Sequence, residues 1–175
     1  LTVTIQEAIR MDAAGVAVSV FIGSANQQQT IINLTDMINQ AEEYGIPVLA
    51  VTAVGKDMAR DLRYLGLASR MCQDAGARII KTYYCEDFSR LVDYVAPTAV
   101  VVAGGKYSSP PDALQMAYDS VQAGAAGVDF GRNIFQDDNP VGMIRAIRAI
   151  VHDNLTVKEA MDMYNACMPD AARLD

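Results

Sequence analysis

Thr98-Ala99-Val100-Val101-Val102-Ala103-Gly104-Gly105 is an apolar, valine-rich run that stops on two glycines. A run this short, bounded by turn residues and rich in β-branched side chains, reads as a strand over residues 98–103. The next such run, Ala126-Gly127-Val128-Asp129-Phe130, again stops on a glycine, Gly131. The placing of these glycines decides between two α/β folds. A doubly wound dinucleotide-binding sheet carries G-x-G-x-x-G after its first strand. A (β/α)₈ barrel binds phosphate in the loops after strands seven and eight. Here the glycines follow the last two strand-like runs. The expectation is therefore a TIM barrel in which residues 98–103 and 126–130 are strands seven and eight.

Upstream, three more runs of strand character occupy residues 16–22, 47–53 and 78–84. The first, VAVSVFI, is continuous and β-branched, as in a strand buried on both faces. Between the runs lie helical patterns. One covers residues 31–44 and closes on Gly45; a second, residues 57–75, stops at Gly76; a third covers 87–94. Pro110 and Pro111 suit the first turn of a helix that continues to about residue 122. Two closing helices are expected at 140–152 and 156–167, the latter with Thr156 and Glu159 as a capping box. Strand–helix alternation of this kind is α/β. Counting back from strand eight, residues 1–175 would be the C-terminal part of a single TIM-barrel domain, covering about strands four to eight. Strands one to three are then absent. Such a part-barrel exposes open sheet edges and is not expected to fold alone. The chain also opens on Leu1 without an initiator Met, and the expectation is that N-terminal sequence is missing.

Composition excludes several functions. The chain has 175 residues, enough for one domain with a substantial core, and 51% of them are apolar. No apolar run approaches the ~20 residues of a membrane span. A net charge of −7 argues against a nucleic-acid binder. Any anionic substrate must be held by a local site. Cys72, Cys85 and Cys167 are odd in number and widely spaced, which reads as reduced thiols in a cytoplasmic protein. The single histidine, His152, cannot supply a multi-histidine metal cage, and no metal is expected.

Lys81 stands out in Ile79-Ile80-Lys81-Thr82-Tyr83. Alternation puts Ile79, Lys81 and Tyr83 on one face of the strand and Ile80, Thr82 and Tyr84 on the other. A lysine in an apolar strand is costly to keep charged, and a neutral amine can form a Schiff base with a carbonyl. The other reading is a strand-end lysine that snorkels to water or pairs with Asp87. Gly104 and Gly105 allow backbone N–H groups to approach an anion, although paired glycines after a strand also make plain tight turns. Gly131 and Arg132 follow the next strand. Arg132 could clamp a phosphate or bridge to Asp129 or Asp137. Taken together, the two loops make a phosphate site the favoured reading. Lys56 sits at a strand–helix junction, as a phosphate contact or a solvated loop residue. Tyr83 and Tyr84 could donate protons or simply pack. Cys85 has no histidine near it in sequence, and His152 suits a helix C-terminus.

The stretches AVTAVGKDMARDLRY (50–64), ARIIKTYY (77–84), VVAGGK (101–106) and GVDFGRNIFQ (127–136) resemble the DeoC/FbaB class I aldolase family. The resemblance runs from Leu1 to about Tyr164. It implies a (β/α)₈ barrel, commonly a ring-based decamer. It implies Lys81 as the Schiff-base lysine of the sixth strand, and Gly104, Gly105, Gly131 and Arg132 as the groups that bind substrate phosphate. Aldolases of the family carry a Y-P-R-G-type stretch after the fifth strand; Ala53-Val54-Gly55-Lys56 stands there, without the tyrosine. That departure favours the family's acyl-transferring branch. Its members move acetyl from 3-hydroxy-5-phosphonooxypentane-2,4-dione, an intermediate of autoinducer-2 catabolism, to coenzyme A as co-substrate. A class I aldolase acting on a sugar phosphate is the alternative, and a non-catalytic sugar-phosphate-binding protein is a third. The family's first-strand aspartate, in an F-D-H-G-like stretch, has no counterpart in this sequence.

Overall fold

The computed structural model describes residues 2–54 and 58–167. The chain divides into two compact units, Leu1–Val101 and Val102–Asp175.

The first unit opens with a short helix, α1 (Ile5–Arg10), capped reciprocally by Thr4 and Glu7. Three strands then alternate with helices: β1 (Val16–Ile22), α2 (Gln27–Glu42), β2 (Val48–Val54), α3 (Leu62–Asp74), β3 (Ile79–Tyr83) and α4 (Phe88–Tyr94). β4 (Ala99–Ala103) follows and runs across the boundary between the units. Spatial order follows chain order. β1 pairs with β2 and β2 with β3 in parallel, in registers that align Ser19 with Val51 and Val51 with Lys81.

The strands show one buried face each. Val18, Val20, Ile22, Val48, Ala50, Ile80 and Val100 point into the layer covered by helices. The other face of β1 carries Ala17, Ser19 and Phe21, all exposed. This corrects the expectation that residues 16–22 are buried on both sides. The helices of this unit cover one face only; in a closed barrel the opposite strands cover the other. The apolar run had the right type and bounds, but continuous hydrophobicity does not say what lies over each face.

Two helix starts also differ from the sequence pattern. α2 begins at Gln27, because the Gln27 side chain accepts from the Gly23 N–H at 2.7 Å and the Thr30 hydroxyl accepts from the Phe21 N–H. α3 begins at Leu62, where the Asp61 carboxylate accepts from the Tyr64 N–H at 3.0 Å. The helix expected from residue 57 thus has a non-helical lead-in at 58–61.

The second unit holds the end of β4, then α5 (Pro110–Gln122), β5 (Gly127–Asp129), α6 (Arg132–Phe135), α7 (Pro140–Asp153) and α8 (Val157–Ala166). α5 starts on the two prolines behind the Ser109 cap, and α8 starts on the Thr156–Glu159 capping box. Its core joins Leu114 and Ala117 of α5, Phe130, Met143 and Ile150 of α7, and Tyr164 of α8. Among the described residues, no helix is long and apolar enough to cross a membrane.

Candidate active site

In the first unit, Lys81 lies in the middle of β3 on its half-buried face. Its backbone is fixed twice by β2: it pairs in register with Val51, and its carbonyl accepts from the Thr52 hydroxyl at 3.2 Å. Strand pairing thus settles where the lysine points, and Ile79, Lys81 and Tyr83 share the half-buried face as alternation requires. The Arg60 guanidinium stacks over the Tyr83 ring, 3.9 Å from its centroid. That places a cation beside the tyrosine two residues along from Lys81. The sequence left Arg60 unremarked; it precedes α3 by two positions, and only the fold brings it to β3.

The remaining side chains near the end of β3 are occupied in packing. Tyr84 stacks on Phe88 with ring centroids 5.2 Å apart. The Cys85 thiol is buried, and burial, reinforced by Asp61 and Asp87, raises its pKa, which works against a thiolate nucleophile. Lys56 lies outside the described residues. His152 falls in the last turn of α7, in the second unit. A cavity of about 830 Å³ on the α3–α4 surface, floored by Gly66 and Leu67, includes neither Lys81 nor Tyr83.

In the second unit the two glycine loops meet. Gly104 packs tightly: a Cβ there would sit 2.7 Å from Phe130 Cδ1 and 3.0 Å from Asn133 Nδ2. Gly105 is the opposite case. It adopts φ +67, and a Cβ there would meet nothing within 4 Å. The first glycine is demanded by close approach, the second by its left-handed backbone beside open space. Gly131 caps α6, and Arg132, its first residue, is exposed. Arg132 makes no ion pair with Asp129 or Asp137 among the described residues. Asp137 is instead buried under α8. Its Oδ1 accepts from the Tyr164 hydroxyl at 2.9 Å and from the Asn139 N–H at 2.8 Å. Burial, then the bond to Asp137, raise the pKa of Tyr164.

Asn133 was not singled out by sequence. It is 1% exposed, and its side-chain amide bridges the two loops through Gly104 and Ser108. The four residues read from sequence as a phosphate site, Gly104, Gly105, Gly131 and Arg132, thus come together in one unit. The arrangement offers an open glycine backbone and an uncommitted guanidinium, the donor types that bind oxyanions.

A parallel strand–helix alternation, a lysine held on a strand face and glycine loops after the last two strands define a class of barrel enzymes, and the comparisons agree. The chain belongs to the DeoC/LacD family of aldolases, whose model matches residues 1–137. It is 44% identical over 164 residues to the 3-hydroxy-5-phosphonooxypentane-2,4-dione thiolases of Yersinia pestis strain Pestoides F and of Yersinia pseudotuberculosis serotype O:1b. Those matches cover 94% of this chain and 56% of each relative, so the chain spans a little over half the length of those curated relatives. Among solved structures, the fructose-bisphosphate aldolase from Slackia heliotrinireducens superposes with a TM-score of 0.86 at 24% identity, covering 94% of this chain and 58% of that one. An archaeal fructose 1,6-bisphosphate aldolase gives 0.82 at 23% identity, over 87% and 63%. These likenesses establish the fold: the chain has the architecture of part of a class I aldolase barrel.

Proposed function

We propose that this chain is the lysine- and phosphate-bearing part of an LsrF-type acyltransferase. In this reading the enzyme moves acetyl from 3-hydroxy-5-phosphonooxypentane-2,4-dione to coenzyme A, giving dihydroxyacetone phosphate and acetyl-CoA. The observation that carries it is the 44% identity to thiolases of that name across 94% of the chain, with Lys81 held on an accessible strand face.

The Lys81 amine attacks the C4 ketone of the substrate and loses water to form an iminium. The coenzyme A thiolate attacks C2. The C2–C3 bond breaks, and its electron pair flows into the iminium to give an enamine. C3 takes a proton, and water then releases dihydroxyacetone phosphate and regenerates the amine. Gly104, Gly105, Gly131 and Arg132 hold the phosphate. A related archaeal aldolase has been captured with its catalytic lysine covalently bound to a carbinolamine intermediate, which supports the covalent role given to Lys81. The protein acts in the cytoplasm as a homo-oligomer, a ring-based decamer on the family pattern.

Borohydride reduction of the full-length enzyme with substrate, followed by peptide mapping, tests the covalent step. The expected adduct is on Lys81; active enzyme that leaves the Lys81 peptide unlabelled would sink the reading. The aldolase alternative is favoured by the solved aldolases that share the fold. Product analysis with and without coenzyme A separates the two, because aldol cleavage proceeds without it.

A further inference from the structure

We infer that Asn133 is a positioning residue for the substrate phosphate, fastening the loop after β4 to the loop after β5 so that both face one anion. The inference rests on the phosphate reading of those loops and adds a residue to it.

Both ends of the Asn133 amide are used. Nδ2 donates to the Gly104 carbonyl at 3.0 Å; Oδ1 accepts from the Ser108 N–H at 2.8 Å and lies 3.4 Å from the Ser108 hydroxyl. The side chain is almost wholly buried. A flipped amide would set carbonyl against carbonyl and N–H against N–H, so the fit admits one orientation. Gly104 closes the same joint from below, since Phe130 and Asn133 fill the space a Cβ would take.

The clamped residues are chain neighbours of the open ones. Asn133 follows Arg132, whose side chain is exposed and outside any ion pair among the described residues. Gly104 precedes Gly105, whose outer side is empty to 4 Å. Fixing the inner pair therefore fixes the outer pair. Packing against Phe130 could hold the loops close, but only a group with donor and acceptor in fixed geometry satisfies Gly104 and Ser108 together. A preset cradle binds its anion without first ordering the loops, which is where preorganisation gains affinity. Because phosphate lies away from the bonds that change, the gain should appear in binding and not in turnover.

The test compares the full-length enzyme in wild-type form with its Asn133→Ala and Arg132→Ala variants. Three quantities are read: thermal stabilisation by inorganic phosphate, the KM and kcat of the acyl-transfer reaction, and the rate at which Lys81 forms an enaminone with acetylacetone, a dione without phosphate. For Asn133→Ala the expected result is loss of most of the phosphate-dependent stabilisation and a KM raised about tenfold, the cost of one good hydrogen bond. The kcat should stay within about threefold and the acetylacetone rate should not change. Asn133→Ser, smaller but able to make one of the bonds, should fall between wild type and alanine, and serves if alanine does not fold. Wild-type phosphate affinity in either variant overturns the inference. So does a parallel fall in kcat and acetylacetone rate, which marks general loss of structure. If Arg132→Ala loses phosphate while Asn133→Ala keeps it, the phosphate site stands and only the clamp fails. If wild type shows no phosphate response, the phosphate reading fails and the clamp with it.

Discussion

Lys81 and Gly105 are both candidate substrate contacts, but their positions are secured in different ways. Lys81 sits in a regular strand, where register with Val51 and the pleat alone decide its direction. Gly105 sits in a loop, where direction depends on a side chain 28 positions away, Asn133. A position set by strand pairing tolerates change in neighbouring side chains, because the backbone ladder carries it. A position set by a buried amide fails when that amide is lost. The proposed nucleophile thus sits on the sturdier support and the proposed anion site on the more delicate one.

The largest expected effect tests the strand side. Lys81→Met should lower turnover by roughly 10³-fold or more while leaving phosphate-dependent thermal stabilisation intact. Loss of both together would break the separation drawn here. On the loop side, Arg132→Ala should raise KM about 10- to 100-fold, as expected for a charge-assisted hydrogen bond to phosphate. Steady-state kinetics should show kcat little affected. A smaller effect separates the two glycines. Gly104→Ala forces a methyl against Phe130 and should cost about 1–3 kcal/mol in denaturant unfolding. Gly105→Ala meets no atom, and its cost of about 1 kcal/mol comes from the left-handed backbone alone. Equal costs would show that the loop relaxes around Gly104.

The smallest expected effect concerns α8. Tyr164→Phe removes the bond to buried Asp137 and should cost about 1 kcal/mol at neutral pH. Its pH dependence is more telling. Burial and Asp137 raise the Tyr164 pKa above the ordinary value of 10.0, so the folded chain keeps a proton that the unfolded chain releases. This contribution is whole below about pH 10 and is lost as pH climbs past it. Stability curves of wild type and Tyr164→Phe should therefore converge at high pH, and curves that stay parallel would remove Asp137 and Tyr164 from the account.

The strands were legible because they advertise themselves locally. The runs at 16–22 and 98–103 are β-branched and bounded by glycine, and each became a strand within a residue of its expected bounds. α1 carried the same T-x-x-E signal, Thr4 to Glu7, as the helix at Thr156, but it is only six residues long and offers too little periodicity to be noticed. α6, at four residues, gives no periodic signal at all. The glycines and Arg132 could be picked out as phosphate-site candidates from their place after the strands. Asn133 was not, because its bonds reach residues 25 and 29 positions back, and no local pattern encodes them. Arg60 escaped for the same reason, since its partner Tyr83 lies beyond an entire helix.

The alternation that aims Lys81 has a consequence for how the chain assembles. If β3 slipped by one residue against β2, every side chain on it would change faces. Ile80 and Thr82 would turn outward, and the ammonium of Lys81 would be driven into the layer now filled by Leu65 and Ala68 of α3. An uncompensated charge there is costly enough to disfavour that arrangement outright. The residue assigned to chemistry thus also proofreads the sheet, rejecting the misthreaded strand before any substrate arrives.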